Sequence, residues 1–327
     1  SPAPLDPERR AFLANVMSSI CVNHAKRIAA HLQTLANSQD IHEPMSETSN
    51  EEAVLADIVE IVHDIDNAND LMKMGGIPVL MSCLNSVHAI IIQLSCEVLG
   101  VICQNNPKSQ DAVLNYGALA TLLELVDTHR AVCVKAKALY AVSCLVRGYD
   151  PGMEAFDKCD GFSHLMRAMQ CNNDKLFVKA VFLIAALIEE YKPSTEQLVS
   201  MGYTELLTNY LLSGDLTGHT TCSSTPTTTH QPNDSISSEQ QSMNNLNMSK
   251  EHCSSALLRL CSVSDDARTQ CRGNEALMEY LDTRLGQVKH VEEHQEETDY
   301  ITELLKLMNE PLHDTTPSDD AEEADCR

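Results

Sequence analysis

The residues whose type and spacing best suit chemistry are two histidines near the C-terminal end, in the run HVEEH at 290–294. Two histidines four positions apart share one face of a helix, which is how a pair of zinc ligands is arranged. The run is not the His-Glu-x-x-His pattern of zinc peptidases, and the sequence offers no evident third ligand. We therefore predict a solvated helical face at 290–294 and no metal site.

The motifs of common enzyme classes are missing from the chain. It contains no G-x-G-x-x-G, no G-x-x-x-x-G-K-[ST] and no G-x-S-x-G, so neither a phosphate-binding loop nor a hydrolase nucleophile elbow is indicated. Cys253 and Cys261 flank apolar helical positions, which makes them better core residues than ligands. We predict no catalytic residue, no cofactor and no enzyme.

An internal repeat organises the elements that must position any functional side chains. Four glycines mark it, spaced 41, 44 and 41 residues apart, and each precedes large or apolar residues at offsets +1, +5 and +8. These steps place the side chains on one helical stripe, with the glycine just before the helix. The copies are Gly76 with Ile77, Met81 and Leu84; Gly117 with Ala118, Leu122 and Leu125; Gly161 with Phe162, Met166 and Met169; and Gly202 with Tyr203, Leu207 and Tyr210.

A second predicted helix follows the first in three of the copies, over 94–104, 134–147 and 178–190, and an earlier relative runs over 51–65. A helix-only period of this length is typical of armadillo and HEAT repeats, which stack into a curved rod with a concave side. We predict an all-α, armadillo/HEAT-like right-handed solenoid of about four repeats with helical caps at both ends. An irregular helical bundle is the alternative.

The same patterns divide the chain into five predicted segments. Residues 214–249 include 14 Ser/Thr among 36 residues, too little apolar content to fold. The segments are a helical cap and linker (1–50), the armadillo-like repeats (51–213), a disordered insertion (214–249), the last repeat helix with a C-terminal cap (250–310) and an acidic disordered tail (311–327).

Composition limits the partners and the compartment. The 327 residues carry a formal net charge of −24, from 47 Asp+Glu against 23 Lys+Arg, and no tryptophan. So few cations argue against binding to nucleic acid or to an anionic membrane surface. The 13 cysteines show no Cys-x-x-Cys pair and no regular framework, which favours a reducing compartment and a cytoplasmic location.

One stripe of side chains remains for recognition. In an armadillo stack the last helix of each repeat lines the concavity, and residues 130–192 hold nine bases against seven acids. A locally basic concavity suits an acidic protein partner, although scattered surface charge would give the same count. The stripe comprises Lys137, Tyr140, Cys144 and Arg147; one repeat earlier Leu94, Glu97, Val101 and Gln104, followed by Asn105; and one repeat later Lys179, Phe182, Ala186 and Glu189.

Several segments of the chain strongly resemble a known family, the Hsp-binding-protein / Fes-type armadillo-repeat nucleotide exchange factors of 70-kDa heat-shock chaperones. The likeness extends over nearly the whole chain, from DPERRAFLANVM at 6–17 to EEHQEE at 292–297. The segments that carry it are DNANDLMKMGG at 66–76, CQNNPKSQ at 103–110, KALYAVSCLVRG at 137–148 and DGFSHLMRAMQ at 160–170.

This resemblance implies a function that spacing alone does not show. Family members clasp one lobe of the chaperone's nucleotide-binding (ATPase) domain with the concave face, so that ADP leaves and ATP enters. We expect a monomer that does the same, without nucleic acid, membrane or cofactor. Combining helix phase with the family architecture, we predict as contacts Glu97, Gln104, Asn105, Lys137, Tyr140, Arg147, Lys179, Phe182 and Glu189.

Two other functions stay open at this point. The first is an armadillo adaptor that binds an extended peptide in its groove without exchange activity. Importin-like armadillo proteins use ladders of tryptophan and asparagine for this purpose, and the chain has no tryptophan. The second lies within the family, as the lumenal exchange factor of the endoplasmic reticulum. The cysteine pattern favours the cytosolic branch.

Overall fold

The computed structural model of the protein describes residues 6, 8–10, 24–171, 173–192, 194–213 and 235–311, with the backbone alone over 235–247. Regular structure in these residues consists of α-helices and two short 3-10 helices, without a β-strand. The chain divides between Ala168 and Met169 into two compact units. Across the described ranges, no helix combines the length and apolar character needed to cross a bilayer.

The first unit contains ten described helices and a 3-10 turn at Asp40–His42. The helices are α1 (His24–Asn37), α2 (Ser49–Ile61), α3 (Ile65–Lys73), α4 (Gly76–Leu84), α5 (Ala89–Cys103), α6 (Pro107–Asn115), α7 (Ala118–Thr128), α8 (Val132–Val146), α9 (Asp150–Lys158) and α10 (Gly161–Met169), whose last residue opens the second unit.

The second unit continues with seven described helices and a 3-10 turn at Glu292–His294. They are α11 (Asp174–Glu190), α12 (Ser194–Ser200), α13 (Tyr203–Ser213), α14 (Ser235–Val263), α15 (Asp265–Arg272), α16 (Glu275–Val288) and α17 (Gln295–Asn309). Two segments predicted to lack order fall partly outside the described residues, over 214–234 and 312–327. The backbone is already helical from Ser235, inside the predicted insertion.

Each repeat consists of a short first helix, a second helix that we call intermediate for its place in the order, and a long third helix. In the first unit, α3–α5 have 9, 9 and 15 residues and α6–α8 have 9, 11 and 15. Three helices per repeat are the armadillo form, and the predicted helical solenoid class is confirmed. The sequence revealed the intermediate and long helices but not the short first ones, because those carry few apolar residues and each buries only two or three residues. Pro107 and Pro151 lie in the first turns of α6 and α9, where proline is tolerated.

The repeat boundary is a residue with left-handed backbone conformation just before each intermediate helix. Gly75, Gly117, Asp160 and Gly202 have φ of 79°, 72°, 53° and 85°, so the boundaries lie 42, 43 and 42 residues apart. The glycines used as markers are therefore one residue late in the first and third copies. Counted from the left-handed residue, offsets +2, +5 and +9 are buried in all four copies. Met81 and Leu125, predicted on the buried stripe, are only half-buried; Leu80 and Val126 take the core positions.

The long helices form the spine of each unit. In the first unit α5 packs between α2 and α8, and in the second α14 packs between α11 and α17. Their inward residues are almost wholly apolar; Leu99 and Val142, for example, are fully buried. Side chains on the remaining faces of the long helices are left for recognition.

Candidate partner-binding surface

Four of the predicted contact residues meet across the α5–α8 contact in the first unit. Lys137 Nζ lies 2.6 Å from Glu97 Oε1, and both side chains are about one-third exposed or less. Tyr140 donates its hydroxyl hydrogen to Gln104 Oε1 at 3.3 Å. We call Glu97, Gln104, Lys137 and Tyr140 the α5–α8 patch. The side chains of this patch are thus paired with one another in the absence of a partner protein.

Gly100 makes the position of Tyr140 possible. A β-carbon at residue 100 would lie 2.6 Å from Tyr140 Cδ1, still nearer to Cε1, and 3.3 Å from the Cα of Ala141. Burial and the neighbouring Cys144 raise the pKa of Tyr140 well above its ordinary value, so the phenol stays neutral and keeps its donor hydrogen. Gly100 escaped the sequence analysis because a glycine inside a helix shows no contact until the neighbouring helix is in place.

Arg147 and Asn105 lie at the C-terminal ends of α8 and α5. Arg147 is the exposed C-cap residue of α8, with its N–H bonded to the carbonyl of Ser143. Asn105 is exposed and has a φ of 53°; Gly148 occupies the corresponding place after α8 with a φ of 63°. Asparagine tolerates this left-handed conformation better than most residues. The backbone thus explains Asn105 without any partner contact.

The other three predicted contact residues lie on α11 in the second unit. Phe182 is 55% exposed, and its ring centroid lies 6.4 Å from that of His252 in an edge-on arrangement. Glu189 forms an ion pair with Arg259. Lys179 is exposed on the same helix. We call Lys179, Phe182, Glu189, His252 and Arg259 the α11–α14 patch.

The two members of this patch that lie on α14, His252 and Arg259, were not predicted from the sequence. The two contacts, Phe182–His252 and Glu189–Arg259, are evenly spaced along both helices. Phe182 and Glu189 are seven positions apart on α11, and His252 and Arg259 are seven positions apart on α14. This equal spacing was a usable signal, but the Ser/Thr-rich stretch before α14 hid the phase of that helix. Partial burial lowers the pKa of His252, which favours its neutral form beside Phe182.

A groove continues from the α11–α14 patch on the second unit. It encloses about 440 Å³ beside Glu189 and Arg259, and its apolar wall includes Ile188, Leu258 and Tyr300. Two other residues of the predicted stripes do not belong to a surface, because Val101 and Ala186 are 8% exposed and lie in the core.

The predicted helical face at 290–294 is wrong. His290 lies in a turn, Glu292–His294 forms a 3-10 turn, and α17 begins only at Gln295. His294 Nδ1 is 3.6 Å from Glu297 Oε2, and Arg284 donates hydrogen bonds to both oxygens of the same carboxylate. In the part of the chain that the structure describes, no group of three or more His, Cys, Asp or Glu side chains is placed to hold a metal ion.

Comparison with known proteins assigns the chain to a family. The model of the SIL1/FES1/HPBP1 C-terminal domain matches residues 67–315. This chain belongs to that family. The matched stretch of this family member contains all of the α5–α8 and α11–α14 patches, together with Asn105 and Arg147.

Named relatives cover different shares of this family member. Hsp70-binding protein 1 of Homo sapiens is 29% identical in an alignment 332 positions long, which covers 98% of this chain and 82% of the relative. Hsp70 nucleotide exchange factor FES1 of Mycosarcoma maydis is 37% identical over 128 residues, 39% of this chain and 33% of the relative. Nucleotide exchange factor SIL1 of Xenopus laevis is 32% identical over 146 residues, which cover 44% of this chain and 32% of the relative.

Solved structures agree on the architecture. The designed armadillo repeat protein YIII(Dq)4CqI superposes with a TM-score of 0.61 at 14% identity, over 86% of this chain and 100% of the designed one. A likeness at this identity shows the fold alone. The SIL1/FES1/HPBP1 member is thus an armadillo-type solenoid.

Proposed function

We propose that the protein is a nucleotide exchange factor for a 70-kDa heat-shock chaperone (Hsp70), binding its ATPase domain through the α5–α8 and α11–α14 patches together with Asn105 and Arg147, and promoting ADP release. One observation carries this proposal. The family match over 67–315 contains both patches. The relatives to which the chain is similar are named for Hsp70 binding and for nucleotide exchange.

The geometry of the two patches supports a role in protein recognition. The Lys137–Glu97 and Glu189–Arg259 pairs hold long side chains in fixed positions, which reduces the entropy lost when a partner binds. Tyrosine, arginine and other large side chains dominate the centres of many interfaces. Tyr140, Phe182 and Arg147 are therefore the residues we expect to contribute most of the binding free energy.

Exchange in this proposal needs no chemical step by the protein. A surface that binds the open arrangement of the ATPase domain better than the closed one shifts the domain toward the open state. By linkage, the protein weakens the binding of ADP to Hsp70 by the same factor by which ADP weakens the binding of the protein to Hsp70. A coupling of about 1–3 kcal/mol, or roughly 5–150-fold, is ordinary for such a pair. The protein is therefore proposed to act as a co-chaperone, not as an enzyme.

We also propose that the protein acts in the cytoplasm. All ten cysteines in the described ranges are free thiols, which suits a reducing compartment. The formal net charge of −24 argues for a protein partner and against nucleic acid or an anionic membrane. The monomeric state stays a prediction.

Release of a fluorescent ADP analogue from the Hsp70 ATPase domain tests the function. A stoichiometric amount of the full chain should accelerate release, and Arg147→Glu should abolish most of the acceleration. Arg130→Glu is the matched control, because Arg130 is also exposed but precedes α8 instead of ending it. Absence of acceleration by a folded protein would contradict the proposal and favour the peptide-binding adaptor. Equal activity of the two variants would refute the placement of the surface at Arg147.

A further inference from the structure

Two buried cysteines of the second unit lie against each other. Cys261 is near the end of α14 and Cys271 is near the end of α15, and their sulfur atoms are 3.6 Å apart. The side chains are 0% and 1% exposed. A disulfide needs the sulfurs at about 2.05 Å, so an approach of about 1.5 Å separates this contact from a bond.

The surroundings of the pair differ from those of other buried thiols. Arg268 is 3% exposed, and its Nε and Nη2 donate to the carbonyl of Cys261 at 3.3 and 3.1 Å. The Cys261 thiol donates to the sulfur of Cys271, and this hydrogen bond lowers the pKa of Cys271 despite its burial. Burial instead raises the pKa of Cys83 to about 11 and that of Cys96 to about 12. The more acidic thiol forms thiolate, the reactive species, more readily.

We propose that Cys261 and Cys271 form an intrachain disulfide when the protein meets hydrogen peroxide, tying the end of α14 to α15. The Cys271 thiolate attacks one peroxide oxygen and the O–O bond breaks, giving a sulfenic acid; the hydroxide that leaves takes up the proton that the Cys271 thiol lost and becomes water. The Cys261 sulfur then attacks the sulfenic sulfur as its proton passes to the departing oxygen, so that the S–O bond breaks and water leaves. Two thiols are oxidised and one peroxide becomes two waters.

Access sets the rate of this reaction. Both sulfurs are buried, so peroxide reaches them only when α15 opens locally. α15 has eight residues, and a helix this short is marginal without its tertiary contacts. Exposed Cys133 should therefore react first, and it provides an internal measure of the oxidant dose.

The sequence allows a direct chemical test. Trypsin cleaves after Arg259, Arg268 and Arg272, which places Cys261 in peptide 260–268 and Cys271 in peptide 269–272. The full chain is treated with hydrogen peroxide while folded, then denatured, alkylated with iodoacetamide and digested without reductant. We expect the two peptides linked, with a mass about 2 Da below their sum, and separated by dithiothreitol. The oxidised protein should also melt about 5 °C higher, because the unfolded chain is constrained.

Matched variants identify the pairing. Cys261→Ala and Cys271→Ala should each eliminate the linked peptides, whereas Cys253→Ala, a fully buried cysteine on the same helix, should keep them. Mapping of the native chain decides the question even if a variant fails to fold. Recovery of both peptides as separate alkylated species at a dose that fully oxidises Cys133 would overturn the proposal. So would a bond from either cysteine to a different one.

Discussion

The side chain of Tyr140 lies over Gly100 of the neighbouring helix, in the space that a β-carbon at residue 100 would occupy. The phenol hydroxyl then reaches Gln104, one helical turn further along at the C-cap of α5. The aromatic centre of the α5–α8 patch therefore depends on the absence of a side chain one helix away.

A methyl group at Gly100 should test this dependence. Gly100→Ala forces the Tyr140 ring out of place, and overpacking of this kind costs about 1–3 kcal/mol in the free energy of unfolding. We also expect Hsp70 affinity to fall about tenfold or more, measured by titration calorimetry. Gly286→Ala is the control, because nothing lies within 4 Å of its β-carbon position; helix propensity should make it neutral or stabilising by up to about 1 kcal/mol. Unchanged affinity in Gly100→Ala would show that Tyr140 is not a contact.

Exchanging the charges of the Lys137–Glu97 pair should separate stability from recognition. Lys137→Glu places two carboxylates together and should lower the free energy of unfolding by about 1 kcal/mol, as urea titration would measure. Adding Glu97→Lys restores an ion pair and should recover most of that loss. Accelerated ADP release should stay impaired in the double variant, since the partner meets reversed charges. Full recovery of exchange would mean that the pair only supports the fold.

Phe182 should contribute to binding without contributing much to stability. Its ring is 55% exposed, so Phe182→Ala removes little buried area, and we expect a change below about 1 kcal/mol in the free energy of unfolding. Affinity for Hsp70 should fall about tenfold or more, because exposed aromatic residues supply much of an interface's energy. Tyr116→Ala removes an aromatic side chain that is 54% exposed but lies outside both patches. If both variants bound equally well, the α11–α14 patch would not be a contact surface.

Asp57 should make stability depend on pH in the acid range, below about pH 4. Partial burial raises the pKa of Asp57, but hydrogen bonds from His31 and Arg27 outweigh it and hold the pKa below its ordinary value of 3.8. A carboxyl group with a lowered folded-state pKa stabilises the fold above the unfolded-state pKa. This stabilisation is lost as the pH falls through the folded-state value.

Thermal or urea unfolding of Asp57→Asn between pH 7 and pH 3 measures this contribution. The native chain should be more stable than the variant at pH 7, by about 1 kcal/mol or less for so exposed a pair. The difference should shrink steadily below pH 4. Asp70→Asn, which removes a more exposed ion pair with Lys73, is the control. A difference independent of pH would contradict the role given to the Asp57 charge.

Sequence periodicity predicted the solenoid because the intermediate helices carry apolar residues at nearly the same offsets from the repeat boundary in all four copies. It placed the repeat boundary one residue late at Gly76 and Gly161, because residue type was used where backbone conformation decides. At the third boundary that conformation belongs to Asp160. An aspartate with positive φ cannot be distinguished from any other aspartate in a single sequence.

For the candidate surface, the sequence could predict which residues share a face of a single helix, but not which residues of the next helix they contact. Phase placed Lys137 and Tyr140 on one face of α8, and the structure brings them to Glu97 and Gln104. Phase within one helix says nothing about which residue of the next helix is opposite. Gly100, His252 and Arg259 became visible only once the neighbouring helices were in place.

The left-handed boundary residues also mark where the chain is modular. Gly75 and Gly117 have nearly the same backbone conformation, and each is followed directly by an intermediate helix. Excising residues 76–117 would therefore join Gly75 to Ala118 with an unchanged local turn and would shorten the array by one module. Because neighbouring modules of a solenoid contact mainly one another, the reach of the recognition surface is a length that evolution or an engineer can adjust in steps of one repeat.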